Sequence, residues 1–236
     1  MTAQHIASAF DRDLEAIQAQ IMKMGGLVEA AIREAAKALE TRDEELALTV
    51  RQGDKAIDSL EELINEEAAR LIALRAPAAS DLRLVLSVMK IAGNLERIGD
   101  YAKNMAKRTG VLAQGPNNRE GTSALRRMAR EVERMLKDAL DSYIQRDVEL
   151  ARDVIERDRD VDQMYNALFR ELLTHMMEDP RNISACMHLH FIAKNTERMG
   201  DHVTAIAEQV IYLVTGEKPE EDRKKADTTS TTPQEI

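Results

Sequence analysis

Carboxylates at helical spacing are the residues in this chain whose types and positions could do chemistry. The phrase Asn94-Leu95-Glu96-Arg97-Ile98-Gly99-Asp100 returns 101 residues later as Asn195-Thr196-Glu197-Arg198-Met199-Gly200-Asp201. In each copy a glutamate and an aspartate stand at i and i+4, Glu96 with Asp100 and Glu197 with Asp201. On a helix such positions are neighbours on one face, about 5–6 Å apart at Cβ. Two further pairs share that spacing, Asp54 with Asp58 and Asp158 with Asp162. Three readings are open for them: oxygen ligands for a cation, partners in structural ion networks with Arg97 and Arg198, or ordinary solvated surface.

The second set of pairs emerges from an internal alignment. Residues 42–58 align without gaps on residues 146–162 at an offset of 104, with Asp54/Asp158 and Asp58/Asp162 among the identical positions. Pro77 falls opposite Pro180, and the acidic phrases follow. Asp58 precedes Pro77 by about as many residues as Glu96 follows it. On helices joined by a short turn, the two pairs should therefore reach similar heights, and four carboxylates per half should converge. Their stripes carry apolar residues: Leu82, Val85, Leu86 and Met89 before Glu96, and Ala47 and Val50 before Asp54. A merely solvated face would lie opposite such a stripe. Like charges gathered in a shielded groove repel unless they take up protons or a cation. Hard cations prefer oxygen ligands, which admits Mg²⁺, Mn²⁺, Ca²⁺ or iron. Gly99 and Gly200 would permit close approach of a backbone or of an ion's waters, and Asn104 extends the first meridian by a turn. Lys194 stands where the first half has Gly93, which makes the two sets unequal.

The elements that must position these pairs are helices. The 236 residues are 44% hydrophobic and 32% charged but only 3% aromatic, with no Trp. Ala, Leu, Met, Glu and Arg are the vocabulary of long packed helices. Apolar spacings of three and four predict helices over about 10–40, from the turn at Thr41 and Asp43 to about 75, and over about 80–108, 121–145, 147–178 and 181–215. Gly25-Gly26 weakens the first by about 1 kcal/mol per glycine relative to alanine. Ser80 is the expected N-cap of the third helix, and Asp179-Pro180 supplies a cap and a first-turn proline for the sixth. The fold class is all-α, two tandem, pseudo-symmetric three-helix bundles: residues 1–112, a linker at 113–118, residues 119–216, and a disordered polar tail at 217–236.

A net charge of −9 argues against non-specific binding to nucleic acid or anionic membrane. The single Cys186 excludes an internal disulfide and fits a reducing compartment. Residues 1–10 lack the apolar core of a secretory signal, and no run approaches the ~20 apolar residues of a membrane span, so a cytoplasmic protein is expected. His188 and His190 point to different helix faces and make poor joint ligands, while Cys186 reads as a small core residue. No phosphate-binding loop, zinc-protease helix or nucleophile elbow occurs, and no histidine follows a glutamate by three residues, which counts against a di-metal oxidase bundle.

With its duplicated three-helix units and its Asn-x-Glu-Arg-x-Gly-Asp phrases, the sequence resembles the PhoU family of bacterial phosphate-signalling proteins over about residues 10–215. Asp54/Asp58, Glu96/Asp100, Asp158/Asp162 and Glu197/Asp201 match that family's paired acidic motifs. The resemblance implies two three-helix bundles, a homodimer, and metal ions or clusters (iron, zinc, manganese or magnesium) at the eight carboxylates. It also implies regulation rather than catalysis: action with the phosphate-specific ABC transporter through its ATPase subunit PstB and with the sensor kinase PhoR, damping phosphate-starvation genes and phosphate uptake. Contact with the membrane would be only indirect, through these partners. A metal-dependent enzyme or metal store on a helical bundle is the competing expectation.

Overall fold

The computed structural model describes residues 2–115 and 118–219, with side chains from Phe10 onward. Six long helices account for almost all of it: α1 (Thr2–Thr41), α2 (Glu44–Arg75), α3 (Ser80–Ala113), α4 (Arg119–Gln145), α5 (Val148–Glu178) and α6 (Ile183–Thr215), with a 3₁₀ turn at Pro180–Asn182 before α6. There is no strand among the described residues. Residues 116–117 of the expected linker and 220–236 of the expected tail lie outside the described residues.

Local chemistry sets the breaks. The side chain of Asp43 accepts from the Leu46 amide at 2.9 Å, and Glu44 and Glu45 follow in the first turn. A carboxylate cap and acidic first turn satisfy the free amides and oppose the helix dipole. In the second half Asp147 does the same work, accepting from the amides of Glu149 and Leu150. In both halves the residue before this cap is a left-handed arginine, Arg42 at φ 57° and Arg146 at φ 53°. Arg42 also donates to the carbonyls of Leu112 and Gly115 at 2.6 and 2.7 Å, tying the α1–α2 turn to the end of α3. The α6 helix ends at Gly216 with φ 82°, a left-handed terminus suited to glycine.

Several details depart from the sequence expectation: Asp179 caps the 3₁₀ turn at Pro180–Asn182 rather than α6, which begins after Asn182 without a side-chain cap bond. The N-cap of α3 is Ala79, at φ 49° and without a side-chain hydrogen bond; Ser80 is already inside the helix. The connection from Ala76 through Pro77 is so short that positive φ at Ala76 and Ala79 turns the chain, which leaves no cap position for the serine. The helix α3 runs on to Ala113 and α1 begins at Thr2, because polar residues on a solvent face do not interrupt a helix. Gly25 lies inside α1, packed so closely on Leu140 of α4 that a Cβ there would strike its side chain.

The two expected three-helix bundles are present and pack against each other. Helix α2 packs on α1 and α3, and α5 packs on α4 and α6, while α1–α4 and α3–α6 contacts join the halves. Ion pairs from Arg33 to Glu133 and from Arg126 to Glu40 show α1 and α4 running antiparallel. The same holds for α3 and α6, where Arg83 meets Tyr212 near one end and Arg108 meets Phe191 near the other. Buried Ile21, Met24, Ile91, Leu95, Met128, Met135, Ile192 and Met199 belong to one continuous core. The acidic helix segments thus sit on a frame buried from both halves. We expect Leu95→Ala, in that core, to cost about 2–5 kcal/mol in urea unfolding. Leu86→Ala, at a side chain 45% exposed, should change stability by no more than about 0.5 kcal/mol.

Candidate functional site: paired carboxylate clusters

The groove between α2 and α3 holds the first cluster. Asp54 is 3% exposed, whereas Asp58, Glu96 and Asp100 are half-buried. The four lie near enough to perturb one another. Burial, then the charge of Asp100, pushes the Glu96 carboxyl up to about 7, with Asp58 adding to the effect. Burial, then the charge of Asp54, raises Asp58 as well. Between pH 4.5 and about 7 the folded chain therefore holds a proton on Glu96 that the unfolded chain releases. This carboxyl's contribution to stability consequently declines as pH rises through that window.

One cation already stands among these acids. The ammonium of Lys103 donates a short hydrogen bond to Asp54 and lies 3.5 Å from Asp100. The bond to Asp54 raises the lysine's pKa in spite of its partial burial. The other oxygen of Asp54, Oδ1, is shielded from solvent and accepts no hydrogen bond among the described residues. Gly99 keeps the groove narrow: a Cβ there would come within 3.1 Å of Ile57 Cδ1 and 3.7 Å of Asp54 Oδ1.

The second cluster, between α5 and α6, is more deeply buried. Asp158, Asp162 and Glu197 are each 2% exposed, with Asp201 half-buried. The close approach is sharper here, since a Cβ on Gly200 would lie 2.6 Å from Asp158 Oδ1. The ammonium comes from a different place. Lys194 pairs with Glu197 at 3.0 Å and sits 5.0 Å above the Tyr165 ring. Thr204, the counterpart of Lys103, turns its hydroxyl to the Asp201 carbonyl at 2.7 Å. Each half thus supplies one lysine, three residues after the phrase's aspartate in the first and three before its glutamate in the second.

Other sequence candidates find different roles. Arg97 pairs within its own helix, with Glu96 at 3.5 Å and Asp100 at 3.9 Å, and is 62% exposed, so it makes no bridge to α2. The stripe shared by Glu96 and Asp100 is the margin of the core, not its centre, because Leu86 is exposed and Asn104 is exposed beyond it. Asn94 joins the halves: its Nδ2 donates to the Lys90 carbonyl, and its Oδ1 accepts from His202 Nδ1 at 2.9 Å. Burial lowers the His202 pKa. His188 meets Arg108 at 3.1 Å, whereas His190 packs against Tyr165 and Phe169, so the two do face different helices. Cys186 is buried in the core. Sequence reasoning missed Lys103, although its position three residues after Asp100 placed it on the same helix face.

Six helices, duplicated as two fused three-helix units with a carboxylate cluster on each outer helix pair, define the class of protein. The PhoU domain family model matches residues 21–109 and again 125–210. A phosphate-specific transport system accessory protein PhoU homolog of Rhizobium meliloti is 46% identical over 231 residues, covering 98% of each chain. One from Caulobacter vibrioides is 44% identical over 227 residues, covering 96% of this chain and 99% of that one. The crystal structure of PhoU from Pseudomonas aeruginosa superposes with a TM-score of 0.85 at 42% identity, over 88% of this chain and all of that one. The phosphate transport system regulatory protein PhoU from Streptococcus pneumoniae gives 0.81 at 30% identity, over 89% and 99%. This chain belongs to the PhoU family.

Two substitutions test the geometry. Gly200→Ala gains up to about 1 kcal/mol of helix propensity but forces the buried Asp158 carboxylate aside, at about 1–3 kcal/mol. We expect net destabilisation, whereas Gly99→Ala, whose Cβ would meet Ile57 at 3.1 and 3.3 Å and Asp54 Oδ1 only at 3.7 Å, should cost less in the same denaturation series. Lys103→Met leaves the buried Asp54 without its donor and should destabilise the metal-free protein by about 1–3 kcal/mol, measured by thermal unfolding at neutral pH.

Proposed function

We propose that this chain is a regulatory accessory protein of the phosphate-specific ABC transport system. In this reading it links the transporter ATPase PstB to the sensor kinase PhoR and restrains both phosphate uptake and phosphate-starvation gene expression. It acts in the cytoplasm as a homodimer and catalyses no reaction of its own. The observation that carries the proposal is the pair of carboxylate clusters built on rigid helix pairs, in a chain whose relatives bear the name of transport-system accessory proteins. No helix among the described residues is long and apolar enough to cross a membrane, so a meeting with the transporter would be through its partner subunits.

Metal ions at the clusters belong to the same proposal. In the repeat at 1–112, Asp54, Asp58, Glu96 and Asp100 would hold an ion; in the repeat at 119–216, Asp158, Asp162, Glu197 and Asp201 would do so. The first set fits a hard cation on three counts. Its donors are oxygens, Asp54 Oδ1 accepts no hydrogen bond among the described residues, and Glu96 holds a proton up to about pH 7 that a cation would displace. Iron, zinc, manganese and magnesium are all compatible with such donors. A bound ion would supply positive charge that fixes the facing helices and shapes the outer surface. The chain's own residues set the competition, since the ammonium groups of Lys103 and Lys194 occupy part of each groove.

Two experiments decide between this and a metal-dependent enzyme or a metal store. Protein purified without an affinity tag should contain metal that falls in the Glu96→Ala plus Asp100→Ala double variant; unchanged content would refute the first-cluster assignment. Deletion of the gene should raise a phosphatase reporter in phosphate-rich medium, and the purified protein should retain PstB or PhoR. Normal repression in the deletion strain would sink the regulatory reading.

A further inference from the structure

Away from both acidic phrases, the start of α4 approaches the end of α5. Glu171 and His175 lie at i and i+4 on one face of α5, and Glu120 reaches them from the first turn of α4. One ligand atom from each lies within 4.8 Å of the other two. His175 Nε2 is 3.9 Å from Glu120 Oε2, too far for a hydrogen bond. Two donors bound tetrahedrally at about 2.0–2.2 Å stand roughly 3.4 Å apart, so a small closure would let these two share an ion. The other ring nitrogen, Nδ1, is 3.6 Å from Glu178 Oε2. A carboxylate behind a histidine orients the imidazole and leaves its far nitrogen free for a metal.

Two further observations point to a cation here. Glu171 Oε1 is closed off from solvent and accepts no hydrogen bond among the described residues. In the first half its counterpart Glu67, at the repeat offset of 104, accepts from Gln20 Nε2 at 2.9 Å. Gln20 corresponds to Ala124, so the second half has lost that donor while gaining His175 in place of Leu71 and Glu120 in place of Ala16. An open cavity of about 380 Å³ adjoins the site, lined in part by Glu120, His175 and Asn182, with room for water ligands.

We propose that Glu120, Glu171 and His175 form a third metal site, present only in the second half, that takes a first-row divalent transition-metal ion such as Zn²⁺. An imidazole nitrogen among two carboxylates favours such an ion over Mg²⁺ or Ca²⁺. The bound ion clamps the start of α4 to the end of α5, beside the junction of the two repeats.

The test is Zn²⁺ titration of the full-length, tag-free protein against a chromophoric chelator, with Co²⁺ absorption as a second readout of imidazole ligation. The wild-type protein should bind one equivalent more than His175→Gln. Glu178→Gln should keep that equivalent but weaken it by about 10–100-fold. The equivalent should persist when Glu96, Asp100, Glu197 and Asp201 are all replaced by alanine, which separates it from the acidic phrases. Glu120→Gln changes a side chain 81% exposed and should also lower the affinity, which guards against a folding defect in the histidine variant. Equal uptake by wild type and both ligand variants, or loss of the equivalent only in the acidic-phrase variant, would overturn the proposal.

Discussion

Carboxylates of like charge, pressed together between two packed helices, are the constraint around which this molecule is arranged. Asp54, Asp58, Glu96 and Asp100 repel one another in the α2–α3 groove, and the chain answers with a lysine, a retained proton and a close helix contact. Lys103 compensates only part of the charge, because it engages Asp54 and approaches Asp100 while Asp54 Oδ1 accepts no hydrogen bond among the described residues. A hydrophobic groove of the same shape would be easier to fold. The acids therefore need a reason other than stability, and the proposed cation would supply one.

Such a groove needs a stiff support. The shared core provides it, since the acid-bearing α3 and α6 pack antiparallel on each other and α1 and α4 pack antiparallel beside them. Duplication places one cluster on each flank, and divergence then made the two unequal. The second is the more deeply buried, with Asp158 tight against Gly200 and the ammonium of Lys194 bound to Glu197. If they bind ions as proposed, two clusters of different burial and different lysine geometry would differ in their affinity for them.

Much of this was legible in the sequence because its signals are periodic. Apolar spacing revealed six helices, the internal alignment revealed the duplication, and i, i+4 spacing placed the acids on adjoining faces. What escaped depends on contacts between distant segments. The continuous core through α1–α4 and α3–α6 leaves no local pattern, nor does the positive φ at Ala79 that displaced Ser80 from the cap. Glu96 reads as an ordinary glutamate until the fold buries it beside Asp100 and brings in Asp58, 38 positions away in the chain, as a lesser addition. Glu120 and His175 are 55 positions apart and meet only because α4 and α5 fold back on each other. The role of Asn94 as a bridge to His202 was hidden for the same reason.

The central claim, that the α2–α3 groove is a charge-strained site awaiting a cation, can be measured at a single carboxyl. In the metal-free protein, the ¹³C carboxyl resonance of Glu96 should titrate with a midpoint of about 7. Saturating Zn²⁺ should drive that midpoint down and release the proton, because the ion favours the charged form. A midpoint near the ordinary glutamate value of 4.5, unmoved by the ion, would contradict the account.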